Sequence, residues 1–157
     1  MATIITNQTQ TEINRVAISE QNKILKHVIQ KVKDSQLFEN YEINFNNLSV
    51  DESNVGIILN SGARKNRTYV DGGYDAIIPI TVVLRSIGNA SDDKTLHCID
   101  LVNQLGIWFD ENIQRDKSIT GYTISGVVQQ TQANITYRDD SGIEDVGAEF
   151  NINYSKD

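Results

Sequence analysis

Apolar residues recur at helical spacing near the start of the chain. Ile13, Val16, Ile24, Leu25, Val28, Ile29 and Val32 fall at three- and four-residue steps, with Lys23, Lys26, Gln30 and Lys31 on the other side. One apolar stripe under a polar face predicts a helix over about 10–34, with room for a break near Ser19. Thr9 and Glu12 have the capping-box spacing. From Tyr41 the period becomes two: Tyr41, Ile43 and Phe45 alternate with Glu42, Asn44 and Asn46, and Val55, Ile57 and Leu59 continue beyond the turn "DESN". Both read as strands with one wet face. "NSGARKN" (60–66) reads as a loop, rich in turn residues, with Arg64, Lys65 and Arg67 close together.

The next segment, "RTYVDGGYDAIIPITVVLRS" (67–86), reads as one long strand or a bent pair. After its glycines, Tyr74, Ala76, Ile78, Ile80, Val82 and Leu84 share one apolar face. Asp75, Ile77, Pro79, Thr81, Val83 and Arg85 share a mixed face, too greasy for plain solvent. Ser91, followed by Asp92 and Asp93, is a helix start, with its hydroxyl as cap and its acids at the positive end of the helix dipole. Leu96, Ile99, Val102, Leu105, Gly106, Phe109 and Ile113 supply that helix's apolar face. Strands follow near 119–132 and 134–139. "DDSG" then turns into a last strand, where Val146, Ala148, Phe150, Ile152 and Tyr154 alternate with polar residues or glycine.

The order is α-β-β-β-α-β-β-β. Short turns between strands predict an α+β domain: a mostly antiparallel sheet with two main helices on one face. A chain of 157 residues fits a single domain over 1–157, with 1–9 a flexible N-terminus. No linker, low-complexity tract or internal repeat stands out in the residues.

Composition narrows the function classes. The net charge of −7 argues against a broad nucleic-acid-binding face, which needs a basic surface. One cysteine, Cys98, rules out a disulfide within the chain. There is no basic-then-apolar leader and no run of about 20 apolar residues, so a cytoplasmic protein is the expectation.

Candidate chemistry is sparse. His97 and Cys98 are neighbours, and consecutive helical residues point apart, so they do not form a nucleophile–base pair. His27 has no sequence neighbour to work with, and two histidines with one cysteine give no zinc spacing. "RDDSGIED" (138–145) lacks the first carboxylate of a calcium loop and reads as a hairpin turn. Gly72-Gly73 precedes a strand and so offers no helix N-terminus to a phosphate. No metal, cofactor or catalytic set is expected.

What remains is an interface. Proline cannot donate to a ladder, so Pro79 belongs at a sheet edge or bulge, and Gly72-Gly73 suits a bend. A bend there could carry Arg64, Lys65, Arg67 and Tyr69 away from their own sheet toward a neighbouring subunit. The candidate interface is therefore Arg64, Lys65, Arg67, Tyr69, Gly72, Gly73, Tyr74 and Pro79. The plainer alternative is a self-contained edge strand with a bulge.

The run from Tyr69 through "GGYDAIIPITVVLR", the helix with "LVNQLGIWF" and the C-terminal "DDSGIEDVGAEFNINYSK" resemble a group of phage proteins. These are the minor capsid or tail-completion proteins of tailed phages of Gram-positive hosts, themselves similar to the tail terminators of long-tailed phages. The resemblance covers about 67–156 and rests on order and texture. It implies a structural, non-enzymatic subunit without cofactor, forming a homo-oligomeric, usually hexameric ring. The ring would cap the tail tube, stop its polymerisation and join the tail to the head connector. It would sit in the virion at the head–tail junction after assembly in the host cytoplasm. Its partners would be the tail tube protein and the head-completion or connector protein. There would be no sequence-specific contact with the DNA passing through and no contact with membrane. The acidic surplus would face other phage proteins or the lumen. The alternative is a small monomeric or dimeric protein-binding adaptor that uses Trp108 and the 67–74 arm. A metal-dependent hydrolase is a third reading.

Overall fold

The structure is a computed structural model that describes residues 14–88 and 91–157. The expected flexible N-terminus and the Thr9–Glu12 cap lie outside these residues. The elements are α1 (Ile18–Asp34), β1 (Glu42–Phe45), β2 (Asn54–Leu59), β3 (Arg64–Thr68), β4 (Tyr74–Ile87), α2 (Asp92–Asn112), β5 (Tyr122–Gln129), β6 (Asn134–Arg138) and β7 (Ile143–Lys156). They form the expected α+β fold. One seven-stranded sheet is ordered β1-β2-β4-β7-β5, with β3 also on β4 and β6 also on β7. All strand pairs are antiparallel except β1 with β2.

Period-two patterning dictates which face carries the helices. Tyr74, Ala76, Ile78, Ile80, Val82 and Leu84 of β4 are all buried, as are Val146, Ala148, Phe150, Ile152 and Tyr154 of β7. They share one core with Ile24, Val28 and Val32 of α1 and Val102, Leu105 and Phe109 of α2. Each large apolar side chain there contributes roughly 1.5–3 kcal/mol relative to exposure. Ser91 caps α2 as expected, its hydroxyl accepting from the Lys94 amide at 3.3 Å. Leu96 is a correction. It is 63% exposed, and Cys98 lies in the core while Leu96 does not.

Of the helix expected over 10–34, residues 10–13 lie outside the described residues, Asn14 is helical, and after a break at 15–17 α1 runs from Ile18, where the N-cap Ala17 makes no side-chain cap. The chain just ahead of it pairs with β3, through an antiparallel bridge from Arg15 to Arg64. The β1–β2 pair is parallel, the exception within the mostly antiparallel sheet that the short turns predict. Asn54 organises its short connection. Its fully buried amide accepts from the Ser49 amide (3.0 Å) and donates to the carbonyls of Ser49 (3.2 Å) and Glu52 (2.8 Å).

The 60–66 loop is also corrected, since Arg64–Thr68 is a strand. β3 pairs with β4 from Arg64↔Ile77 to Thr68↔Tyr74, with a bulge between Lys65 and Arg67. The segment around the two glycines is thus a bent pair folded onto itself. Pro79 sits in a central strand, not at a sheet edge. Its carbonyl accepts from the Asn60 amide at 3.0 Å, where β2 has just ended and β3 has not begun. In an extended strand the N–H and C=O of one residue point to the same side, so the missing donor falls into that gap.

The backbone also repeats itself, although no internal repeat was expected from the sequence. Each half supplies a helix, two short collinear strands, a hairpin and a 14-residue strand. The two long strands pair along their whole length, from Tyr74↔Lys156 to Ile87↔Ile143. In the first half the Gln21 side chain accepts from the Ala63 amide (2.8 Å), and in the second the Asn103 side chain accepts from the Ala133 amide (3.0 Å). The Asn60–Pro79 bond has its counterpart in Gln130 N–H to Glu149 C=O at 2.7 Å. Bulges recur at Lys65/Arg67 and Ile135/Tyr137. An approximate twofold normal to the sheet therefore relates the halves, and it puts β1 and β3 on one edge and β5 and β6 on the other.

Candidate subunit interface

The predicted residues do not form one surface. Arg64, Arg67 and Tyr69 are exposed, while Lys65 is half-buried with its ammonium 4.5 Å from the Tyr74 ring centre. Gly72 and Gly73 close the β3–β4 hairpin: the Tyr69 amide donates to the Gly73 carbonyl (2.7 Å), and the Gly72 amide to the Tyr69 carbonyl (3.1 Å). Gly72 has φ +92°, which favours glycine. The Tyr69 hydroxyl donates to Asp75 at 2.7 Å. That bond, a second from Ser155 and the nearby Arg67 hold the Asp75 carboxyl below its usual range. An open cavity of about 560 Å³ runs along the β2–β3 gap, lined by Ser61, Arg64, Lys65, Ile77 and Pro79 among others. Arg64, Lys65 and Pro79 therefore share one surface with a cationic rim and an apolar floor.

Tyr74 belongs elsewhere. It is buried, and its hydroxyl donates to both oxygens of Glu20, at 2.5 and 2.6 Å. Tyr122 donates to the same carboxylate at 2.9 Å and Tyr154 at 2.7 Å. Glu20 lies in the first turn of α1 and is itself buried. Burial, together with the bonds to Glu20, pushes the Tyr74, Tyr122 and Tyr154 phenols above their ordinary value. Neutral phenols donating to one carboxylate satisfy a buried charge without a cation. The cluster clamps α1 to the start of β4, the start of β5 and the end of β7.

Three ion pairs complete the polar framework among the described residues. Arg85 and Asp145 are directly opposed across β4 and β7 and paired through two bonds, at 2.7 and 2.9 Å. Glu144 accepts from Arg138 and from the Thr95 hydroxyl, tying α2 to the β6–β7 hairpin. His27 and Asp116 meet at 2.7 Å and link α1 to the segment after α2. Burial alone would raise the Asp116 carboxyl, but bonds from Ser118 and His27 outweigh it and hold it at about 2. Cys98 is buried, and burial raises its thiol; His97 is exposed. No group of three or more His, Cys, Asp and Glu among the described residues could hold a metal, and none of their helices is long and apolar enough to cross a membrane.

Sequence reasoning missed the Glu20 cluster. Its one local signal is a glutamate four residues before Ile24, on the apolar stripe. Comparison with known proteins assigns no family: no family model and no curated protein matches the chain.

Proposed function

We propose that the chain is a structural subunit of a tailed phage, a tail terminator that forms a ring on the tail tube and joins it to the head connector. The resemblance over residues 67–156 supports this reading. The observation that carries it furthest is that the sheet ends on each side in strands with no further strand beyond them among the described residues, β1 and β3 on one side and β5 and β6 on the other, each side met only by a single bridge, Arg15–Arg64 and Asp116–Ile124. A closed ring needs two different surfaces on one subunit, each complementary to the other. A single sheet with opposite open edges supplies such a pair without further domains. The role is assembly, so no cofactor or catalytic group takes part. The partners are further copies of the chain, the tube protein and the connector.

Inactivating the gene in its phage tests the reading. Heads without tails, beside tail tubes of uncontrolled length, are the expected products. Tails of normal length joined to heads in the absence of the protein would overturn it.

A further inference from the structure

The net charge is distributed unevenly between the two related halves. Residues 14–88 carry nine Lys and Arg against eight Asp and Glu, a net of +1. Residues 91–157 carry five against twelve, a net of −7. The asymmetry reaches the two sheet edges. On the β1–β3 edge, Arg15 and Arg64 line one cavity with Ile18, which is 73% exposed. Further along that edge, Lys26, Leu25 and Ile29 of α1 line an apolar groove against Phe45 of β1. Beside the β5–β6 edge the stripe of α2 is anionic. Leu96, Asp100, Asn103, Ile107 and Asp110 follow one another at three- and four-residue steps. Asn103 fixes the direction of this stripe, because its side chain bonds Gln129 of β5 and the Ala133 amide between β5 and β6. Leu96 and Ile107 on it are 63% and 57% exposed.

We infer that the cationic β1–β3 edge of one copy docks on the anionic α2–β5–β6 edge of a second copy, head to tail. Like charges facing across an interface are costly, so a twofold dimer that set Arg15 and Arg64 against their own copies, or Asp100 and Asp110 of α2 against theirs, is disfavoured. Opposite edges attract, and each brings exposed aliphatic side chains to the contact. Strand direction agrees. β3 is antiparallel to β4, β4 to β7 and β7 to β5, so copies in the same orientation set β3 antiparallel to the next copy's β5; Arg15 already bridges β3 at Arg64 and Asp116 bridges β5 at Ile124, so side chains make the contact there. Cations on an edge strand alone would serve to block pairing. Exposed Ile18 and Phe45 on the same edge argue for a partner there. The docking rests on the ring reading only in expecting closure.

The test is charge reversal followed by mixing. One variant carries Arg15→Glu and Arg64→Glu, the other Asp100→Lys and Asp110→Lys; all four positions are exposed. Each is checked by near-ultraviolet circular dichroism, and a variant that fails is replaced by Arg64→Glu or Asp110→Lys alone. Sedimentation should show the unaltered protein associating, less so as salt rises. Each variant alone should associate at least tenfold more weakly. The equimolar mixture should regain association, because one variant then has two anionic edges and the other two cationic ones. A monomeric unaltered protein, variants that associate like it, or a mixture that stays apart would overturn the docking. None of these results bears on gene inactivation. Normal tails without the protein would remove the phage reading and leave the docking standing.

Discussion

Glu20 shows how one residue can hold two layers together. Its carboxylate accepts from three tyrosines that lie 54, 102 and 134 positions away in sequence. Glu20→Ala leaves those hydroxyls without their acceptor, and Tyr74 and Tyr154 are buried too deeply for water to substitute. A loss on the order of 3 kcal/mol is expected, measured as a lower urea midpoint with an unchanged slope. The His27–Asp116 pair shapes how stability is lost in acid. The folded Asp116 carboxyl sits at about 2, below the roughly 3.9 of an unfolded aspartate. Its contribution is fully present above the unfolded value and is lost as pH falls toward 2. Asp116→Asn should therefore flatten the fall in stability between about pH 5 and 2 by about 1 kcal/mol, allowing for solvent screening. An unchanged acid slope would mean that the pair carries no net stability. Neither contact is legible in the sequence, because each joins residues far apart in the chain that only the fold brings together.

The elements divide into those that local pattern reveals and those that it does not. β7 and the apolar face of β4 are legible because every second residue enters the core. β3 is not, since Arg64, Lys65, Asn66 and Arg67 carry no apolar alternation, and the strand exists because the hairpin returns it to β4. Pro79 was legible in chemistry but not in place. The demand for an unpaired N–H held, and a gap between two collinear strands met it inside the sheet. The two hairpins offer a contrast at this scale. Gly72 has φ +92° with open space around it, so Gly72→Ala should cost about 1 kcal/mol from backbone strain alone. Gly142 has φ +95°, and a Cβ there would lie 2.8 Å from the Gly88 carbonyl oxygen. Gly142→Ala should therefore cost clearly more, read from the difference between the two melting temperatures. Equal shifts would show that the carbonyl yields freely.

At the scale of the whole molecule, the repeated backbone and the divided charge explain each other's use. Two related halves make two related edges, and opposite charge makes those edges different enough for the proposed head-to-tail contact. The candidate interface was partly legible: Arg64, Lys65 and Pro79 do share a surface, whereas Tyr74 is buried and the glycines shape a hairpin. The opposing edge was hidden, because only the packing of α2 reveals that Leu96 and Ile107 lie outside the core. The proposed role is that of a ring subunit at the junction of phage head and tail. Electron microscopy of phage particles carrying gold-labelled protein tests it most directly. Label confined to the head–tail junction is the predicted result; particles with no label there would contradict it.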